Sequence, residues 1–120
     1  MRQSERRRAY VAKDQTGRAI GIVACQPDKY EWEGILWLGW LYVVSEWQGT
    51  AVAKALWQRI LSDARRWSIR KIYLDTSSDE LYVRALAFYA KMGFIQEARL
   101  RDYYEPGEDY LILGIIVDPV

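Results

Sequence analysis

Residues 41–56 read LYVVSEWQGTAVAKAL. The run opens with aliphatic, aromatic and β-branched residues, which suit a strand. It then passes through Ser45-Glu46-Trp47-Gln48-Gly49 into a stretch of small residues that suits the start of a helix. A strand that feeds a helix through a tight turn leaves the first helical N–H groups without internal partners. The helix dipole adds to their preference for negative charge, so such a turn is an anion site. About thirty residues further on comes a second compact stretch, Ala85-Leu86-Ala87-Phe88-Tyr89-Ala90-Lys91-Met92-Gly93-Phe94.

The flanking sequence supplies the rest of one domain. Residues 9–13 and 19–25 read as strands joined by a hairpin turn at Asp14-Gln15-Thr16-Gly17. After a polar link over 26–34, residues 35–44 form a strand apolar on both faces and therefore central. Gly39 within it marks a bulge or the close approach of another group. Residues 51–67 carry an apolar stripe of Ala53, Leu56, Trp57, Ile60, Ala64 and Trp67, the period of an amphipathic helix. Residues 71–76 read as a strand. Ser77 or Ser78 then caps a second helix with Asp79 and Glu80 in its first turn, Leu81, Ala85, Phe88 and Met92 on its buried face, and Gly93 as its stop. Two closing strands, 95–103 and 110–117, flank the turn residues Glu105-Pro106-Gly107-Glu108. The expected order is β-β-β-α-β-α-β-β, a mixed α/β fold, with residues 1–8 as a basic N-terminal arm and 9–120 as the single domain.

Composition excludes several chemistries. The chain has 120 residues, a formal net charge of +1, one cysteine and no histidine. One domain's worth of core is available. Without histidine, Ser-His and Cys-His catalysis and most zinc sites drop out, so no metal is expected. Cys25 lies in an apolar strand and reads as a buried structural thiol; a lone cysteine suits a reducing cytoplasm. No apolar run is long enough to span a membrane. Arg2, Arg6, Arg7 and Arg8 are the one local basic cluster, read as a solvated terminus, with a polyanion-binding arm as the alternative.

The two quoted stretches resemble the acetyl-CoA-binding core of the GCN5-related N-acetyltransferases, the GNAT superfamily, whose central mixed sheet is flanked by helices. The family's cofactor turn runs Gln or Arg, two free positions, Gly, one free position, then Gly or Ala. Gln48, Ala51 and Ala53 hold the fixed positions, with Ala51 in place of the usual glycine. Alanine keeps the backbone N–H that would hold pyrophosphate, and its methyl group crowds the approach, so weaker rather than abolished binding is expected. The resemblance implies that Leu41, Val43 and Val44 line the acetyl and pantetheine end. It assigns Gln48, Gly49, Thr50, Ala51, Val52, Ala53 and Lys54 to the pyrophosphate. In the second stretch Ala85, Phe88, Tyr89, Lys91, Gly93 and Phe94 match the family's motif, whereas Tyr82 replaces its asparagine. Tyr89 corresponds to the tyrosine that protonates the departing CoA thiolate, a transfer open to a phenol of ordinary pKa about 10.

By the same resemblance Glu33 is the candidate general base. It shares strand parity with Trp37, Gly39, Leu41 and Val43 provided no bulge intervenes. A backbone N–H near Val43 or Val44 would stabilise the oxyanion. Residues 100–111, LRDYYEPGEDYL, resemble the last hairpin of the peptide N-terminal amine acetyltransferases, which makes Tyr103 and Tyr104 candidate substrate contacts. Family members begin with a further strand and one or two helices, for which eight residues are too few. Either the pocket is open and admits a bulky substrate or a second subunit covers it; 6 Trp and 9 Tyr leave aromatic surface to cover and favour the second, a homodimer. The implied activity is acetyl transfer from acetyl-CoA to a primary amine. The alternatives are a GNAT-fold module that binds acyl-CoA or a protein without turnover and, on the Arg-rich start alone, a nucleic-acid binder.

Overall fold

The computed structural model describes residues 2–49 and 51–118. A six-stranded mixed sheet runs in the order β1-β2-β3-β4-β6-β5, built from Arg8–Lys13 (β1), Ala19–Pro27 (β2), Ile35–Val43 (β3), Lys71–Ser77 (β4), Ile95–Glu105 (β5) and Glu108–Ile116 (β6). Helices Val52–Arg66 (α1) and Val83–Met92 (α2) follow β3 and β4. This is the expected element order. No helix among the described residues is long and apolar enough to cross a membrane.

All sheet pairs are antiparallel except β3 with β4, whose parallel ladder contains only Ile35↔Lys71, Leu36↔Ile72 and Trp37↔Tyr73. Beyond that point β3 stays paired with β2 as far as Val43, and β4 with β6 as far as Ser77. The sheet therefore splits between its two central strands. Gly39 sits at the split: the β2–β3 register slips between Ala24↔Trp40 and Cys25↔Leu38, so the residue between Leu38 and Trp40 is bulged out. The bulge also limits the expectation that β3 is buried on both faces. Ile35, Leu36 and Leu38 are buried, whereas Trp40 and Tyr42 past the bulge are exposed.

Both helices cover one face. Leu56, Trp57 and Ile60 of α1 pack on Val23, Leu36, Leu38 and Ile72, with Leu86, Phe88, Tyr89 and Met92 of α2 at the margin. Gly21 permits the close approach of α1, because a Cβ there would lie 3.0 Å from the Leu56 Cδ1 and 3.3 Å from the Val52 Cγ1. Asp63, 1% exposed on α1, accepts from the Tyr10 hydroxyl of β1 and from Arg66 at 2.7 Å. The buried carboxylate thus pins the helix to the edge of the sheet.

Before α2 the sequence expectation needs correction. Ser77 ends β4, and Asp79 caps a 3-10 turn, Glu80–Tyr82, by accepting from the Leu81 N–H at 2.9 Å. That turn winds three residues per turn rather than 3.6, which shifts the phase. Leu81 is consequently 87% exposed and lies outside the buried face. The Arg-rich start also forms a 3-10 turn, Gln3–Arg6, beside β2, with Gln3 donating to the Glu31 carbonyl at 2.6 Å. Cys25 is buried and its thiol donates to the Arg6 carbonyl. Burial pushes the thiol pKa up to about 11, which suits a structural role.

Replacing Tyr10 by Phe removes one of the two hydrogen-bond partners that the buried Asp63 carboxylate has among the described residues. A loss of about 1–3 kcal/mol in stability is expected, read as a lowered urea midpoint at unchanged slope.

Candidate functional site

The cleft between β3 and β4 is the feature around which the candidate residues gather. Its apex lies at Trp37 and Tyr73, whose rings sit 5.3 Å apart. Leu38 to Val43 form one wall, five strand rises or about 17 Å. The Val44 N–H donates to the Ile20 carbonyl at 2.9 Å, toward β2. Alternation along the strand therefore turns the N–H groups of Val43 and Leu41 the other way, into the cleft. Of the two positions expected to offer an oxyanion donor, Val43 faces the cleft and Val44 does not.

The turn at the cleft mouth is tied to both walls. Ser45–Trp47 form a 3-10 turn, and Gly49 takes φ +80°, a conformation that disfavours any side chain. Gln48 donates to the Val43 carbonyl at 3.0 Å and accepts from Arg84 of α2 at 3.3 Å. Thr50 lies outside the described residues. Ala51 ends the turn at the N-cap position of α1, where its own side chain makes no cap bond. Ala53 is half-buried and Lys54 points to solvent. The positive end of the α1 dipole, beside Lys54 and Arg84, makes an electropositive mouth suited to phosphate. Arg84 was not anticipated, although a cation in the first turn of a helix, where the dipole opposes it, is the signal that marks it out.

α2 runs from mouth to apex. Arg84 reaches Gln48 at one end. At the other, Gly93 precedes β5, whose Ile95 pairs with Gly114, itself opposite Tyr73. Tyr89 lies five residues along from Arg84, about 7.5 Å down the cleft. Its ring packs edge-on against Phe94 and Phe88, and its hydroxyl has no hydrogen-bond partner among the described residues. Burial raises its pKa above the ordinary phenol value, so it holds its proton throughout the neutral range. Tyr82, at the motif's asparagine position, sits at the N-cap position of α2 without making a side-chain cap bond and is exposed.

The face of the sheet away from the helices carries Trp37, Tyr73 and Asp75. Asp75 follows Tyr73 by two residues and so shares its face just beyond the apex. The Tyr110 hydroxyl donates to its Oδ2 at 2.9 Å, leaving Oδ1 without a partner among the described residues. Burial and this bond push the Tyr110 pKa up to about 12, so it stays a donor. Tyr103 stacks on Tyr110 with centroids 4.8 Å apart, and Tyr104 meets both rings edge-on. The expected substrate tyrosines are thereby gathered around Asp75.

Glu33 is placed elsewhere. It precedes β3 at the paired end of the β3–β4 ladder, is 82% exposed, accepts from Gln3 at 3.2 Å and faces Arg6 at 3.9 Å. The bulge at Gly39 breaks the parity that would have aligned it with Leu41 and Val43. Asp75 escaped the sequence reading, although its position opposite the apolar Ile72 and Leu74 in a short strand is legible as a carboxylate on the open face.

Comparison with known proteins agrees with this geometry. A family model described as an acetyltransferase (GNAT) domain matches residues 5–96. N-alpha-acetyltransferase 30 of Schizosaccharomyces pombe is 31% identical over 102 residues, 84% of this chain and 66% of that protein. The chain thus spans about two thirds of that relative's length. A GNAT-family protein from Desulfovibrio desulfuricans superposes with a TM-score of 0.85 at 26% identity, covering 92% of this chain and 69% of the other. A chain of the NatC complex bound to Gag peptide and CoA gives 0.78 at 28% identity, over 92% and 71%.

Proposed function

The chain belongs to the GNAT acetyltransferase family, and we propose that it transfers the acetyl group of acetyl-CoA to a primary amine in a ternary complex. The observation that carries this reading is the parting of β3 from β4 after Trp37 and Tyr73. It offers backbone groups to a pantetheine arm along Leu41 and Val43, and a cationic helix start to the pyrophosphate at Gln48–Lys54. CoA in a relative's structure supports the same ligand here.

Asp75, rather than Glu33, suits the base. Its Oδ1 takes a proton from the ammonium of the acceptor, and the freed amine attacks the thioester carbonyl. The C–N bond forms as the carbonyl oxygen gains charge, which the Val43 or Leu41 N–H stabilises. Collapse breaks the C–S bond, Tyr89 gives its proton to the departing thiolate, and the second proton of the attacking nitrogen passes to water as the amide forms, from which the phenolate is reprotonated. Tyr103 and Tyr104 wall the acceptor's approach. The lone buried thiol suits a cytoplasmic setting.

The open face favours a homodimer. Trp40 and Tyr42 project from it past the bulge, 70% and 55% exposed, the kind of aromatic surface that partners cover. Trp40→Asp should leave a monomer in sedimentation velocity; a wild-type protein that sediments as a monomer at every concentration contradicts this state.

Tyr89→Phe should lower kcat by about a hundredfold or more with little change in KM for acetyl-CoA, the typical scale for a general acid. Because burial raises the Tyr89 pKa, the acid is fully protonated at neutral pH. The alkaline fall of kcat in the wild type should therefore lie above pH of about 10. Asp75→Asn should depress kcat by a similar factor and Glu33→Gln hardly at all, as read by thiol release. Saturable acetyl-CoA binding with no amine-dependent release in the wild type would favour a binding module instead.

A further inference from the structure

Beside Trp37 and Asp75, the open face of the sheet holds a pocket of ≈ 570 Å³ whose walls include Arg7, Gln26, Asp28 and Lys29. If acetyl transfer takes place at the cleft apex, as proposed above, this is where the acceptor lies.

The charges around the pocket are not equally available. Asp28 is committed to the fold: its Oδ1 accepts from the Trp37 indole at 3.0 Å and its Oδ2 from the Tyr30 N–H at 2.9 Å. The indole hydrogen bond, ahead of the backbone ones, holds its pKa below the usual carboxylate value. Lys29 and Glu31, exposed and two residues apart on one loop, oppose each other to first order. Asp75 keeps one oxygen without a partner among the described residues. Arg7 is the exception among the cations. Its guanidinium donates to the uncharged Gln26 Oε1 at 3.2 Å and forms no ion pair among the described residues, although carboxylates line the same pocket. It is an exposed, oriented cation with most of its donors unused.

The strand register sets the spacing. Gln26 pairs with Trp37, Trp37 with Tyr73, and Asp75 lies two residues past Tyr73. Two strand spacings of about 4.8 Å and two rises of about 3.3 Å put the Gln26 and Asp75 Cα atoms about 12 Å apart. The Arg7 guanidinium, held at Gln26, and the Asp75 carboxylate line the same pocket from its two sides, across that span. The carboxylate of a free amino acid, two bonds from its amine, is too near to bridge it. Consecutive Cα atoms about 3.8 Å apart, plus an acidic side chain, reach across.

We propose that the acceptor is a peptide N-terminus whose second residue is acidic, with its amine at Asp75 and its side-chain carboxylate on Arg7. Arg7 is then a specificity residue that takes no part in the bond changes.

The test uses three hexapeptides identical but for Glu, Gln or Lys at the second position, titrated calorimetrically into protein saturated with CoA. In the wild type the Glu peptide should bind at least tenfold tighter than the Lys peptide, the scale of one charge-assisted bidentate contact. Arg7→Gln should erase the difference and Arg7→Glu invert it. Should Arg7→Glu fail to fold, Arg7→Gln decides. Equal binding of the Glu and Lys peptides by the wild type, a preference that survives both substitutions, or free glutamate binding as tightly as the Glu peptide would overturn the proposal. Because the titration reads binding alone, an intact Glu preference without any CoA release would count against acetyl transfer and not against this site.

Discussion

The structure depends on the early separation of two parallel strands. β3 and β4 exchange three residue pairs and then diverge, although a fully paired ladder would satisfy more backbone groups. Two features make the divergence stable. Each strand keeps its outer neighbour along its whole length, so only the facing edges go unpaired. The bulge at Gly39, two residues past the last pair, lets β3 bend away while its alternate side chains still meet the core at Leu41 and Val43. Backbone N–H and C=O groups exposed along such a cleft are polar partners waiting for a ligand, and an extended amide-bearing chain matches them.

Everything else of consequence is positioned by that cleft. Gly21 and the buried Asp63 hold α1 close against the sheet, so the positive end of its dipole opens at the mouth. Gln48 links the end of β3 to Arg84, which brings α2 to the other lip. Tyr89 falls between mouth and apex, and Asp75 with its ring of tyrosines stands at the apex on the opposite face. In the proposed reaction the two faces divide the work: the helical side receives the anionic, elongated donor, and the open side the amine. A reaction between them is confined to the narrow end.

Much of this arrangement was legible from residue order. Period-3.6 stripes in residues 51–67 and the turn residues at 14–17 and 105–108 point to the element order, and Gly39 inside an apolar strand points to a bulge or a close approach, of which the structure has the bulge. The resemblance of residues 41–56 and 85–94 to the GNAT core indicated the cofactor turn. What escaped depends on relations between strands. Glu33 was aligned with Leu41 by counting in twos, a count the bulge resets. Asp75 matters because it stands two residues past the Trp37–Tyr73 pair where the ladder ends and because Tyr110 reaches it from β6, neither of which its own segment encodes. Leu81 was misassigned because a 3-10 turn has a different period from the helix it precedes. Arg84 became meaningful only once Gln48 was seen within reach.

Hydrogen exchange of backbone amides, with and without acetyl-CoA, tests the central claim most directly. Protection on adding acetyl-CoA should fall on residues 38–43 of β3 and on 48–54, and should spare β1 and β5. Protection that leaves β3 unchanged while appearing elsewhere, or none at saturating ligand, would contradict the assignment of the cleft as the donor site.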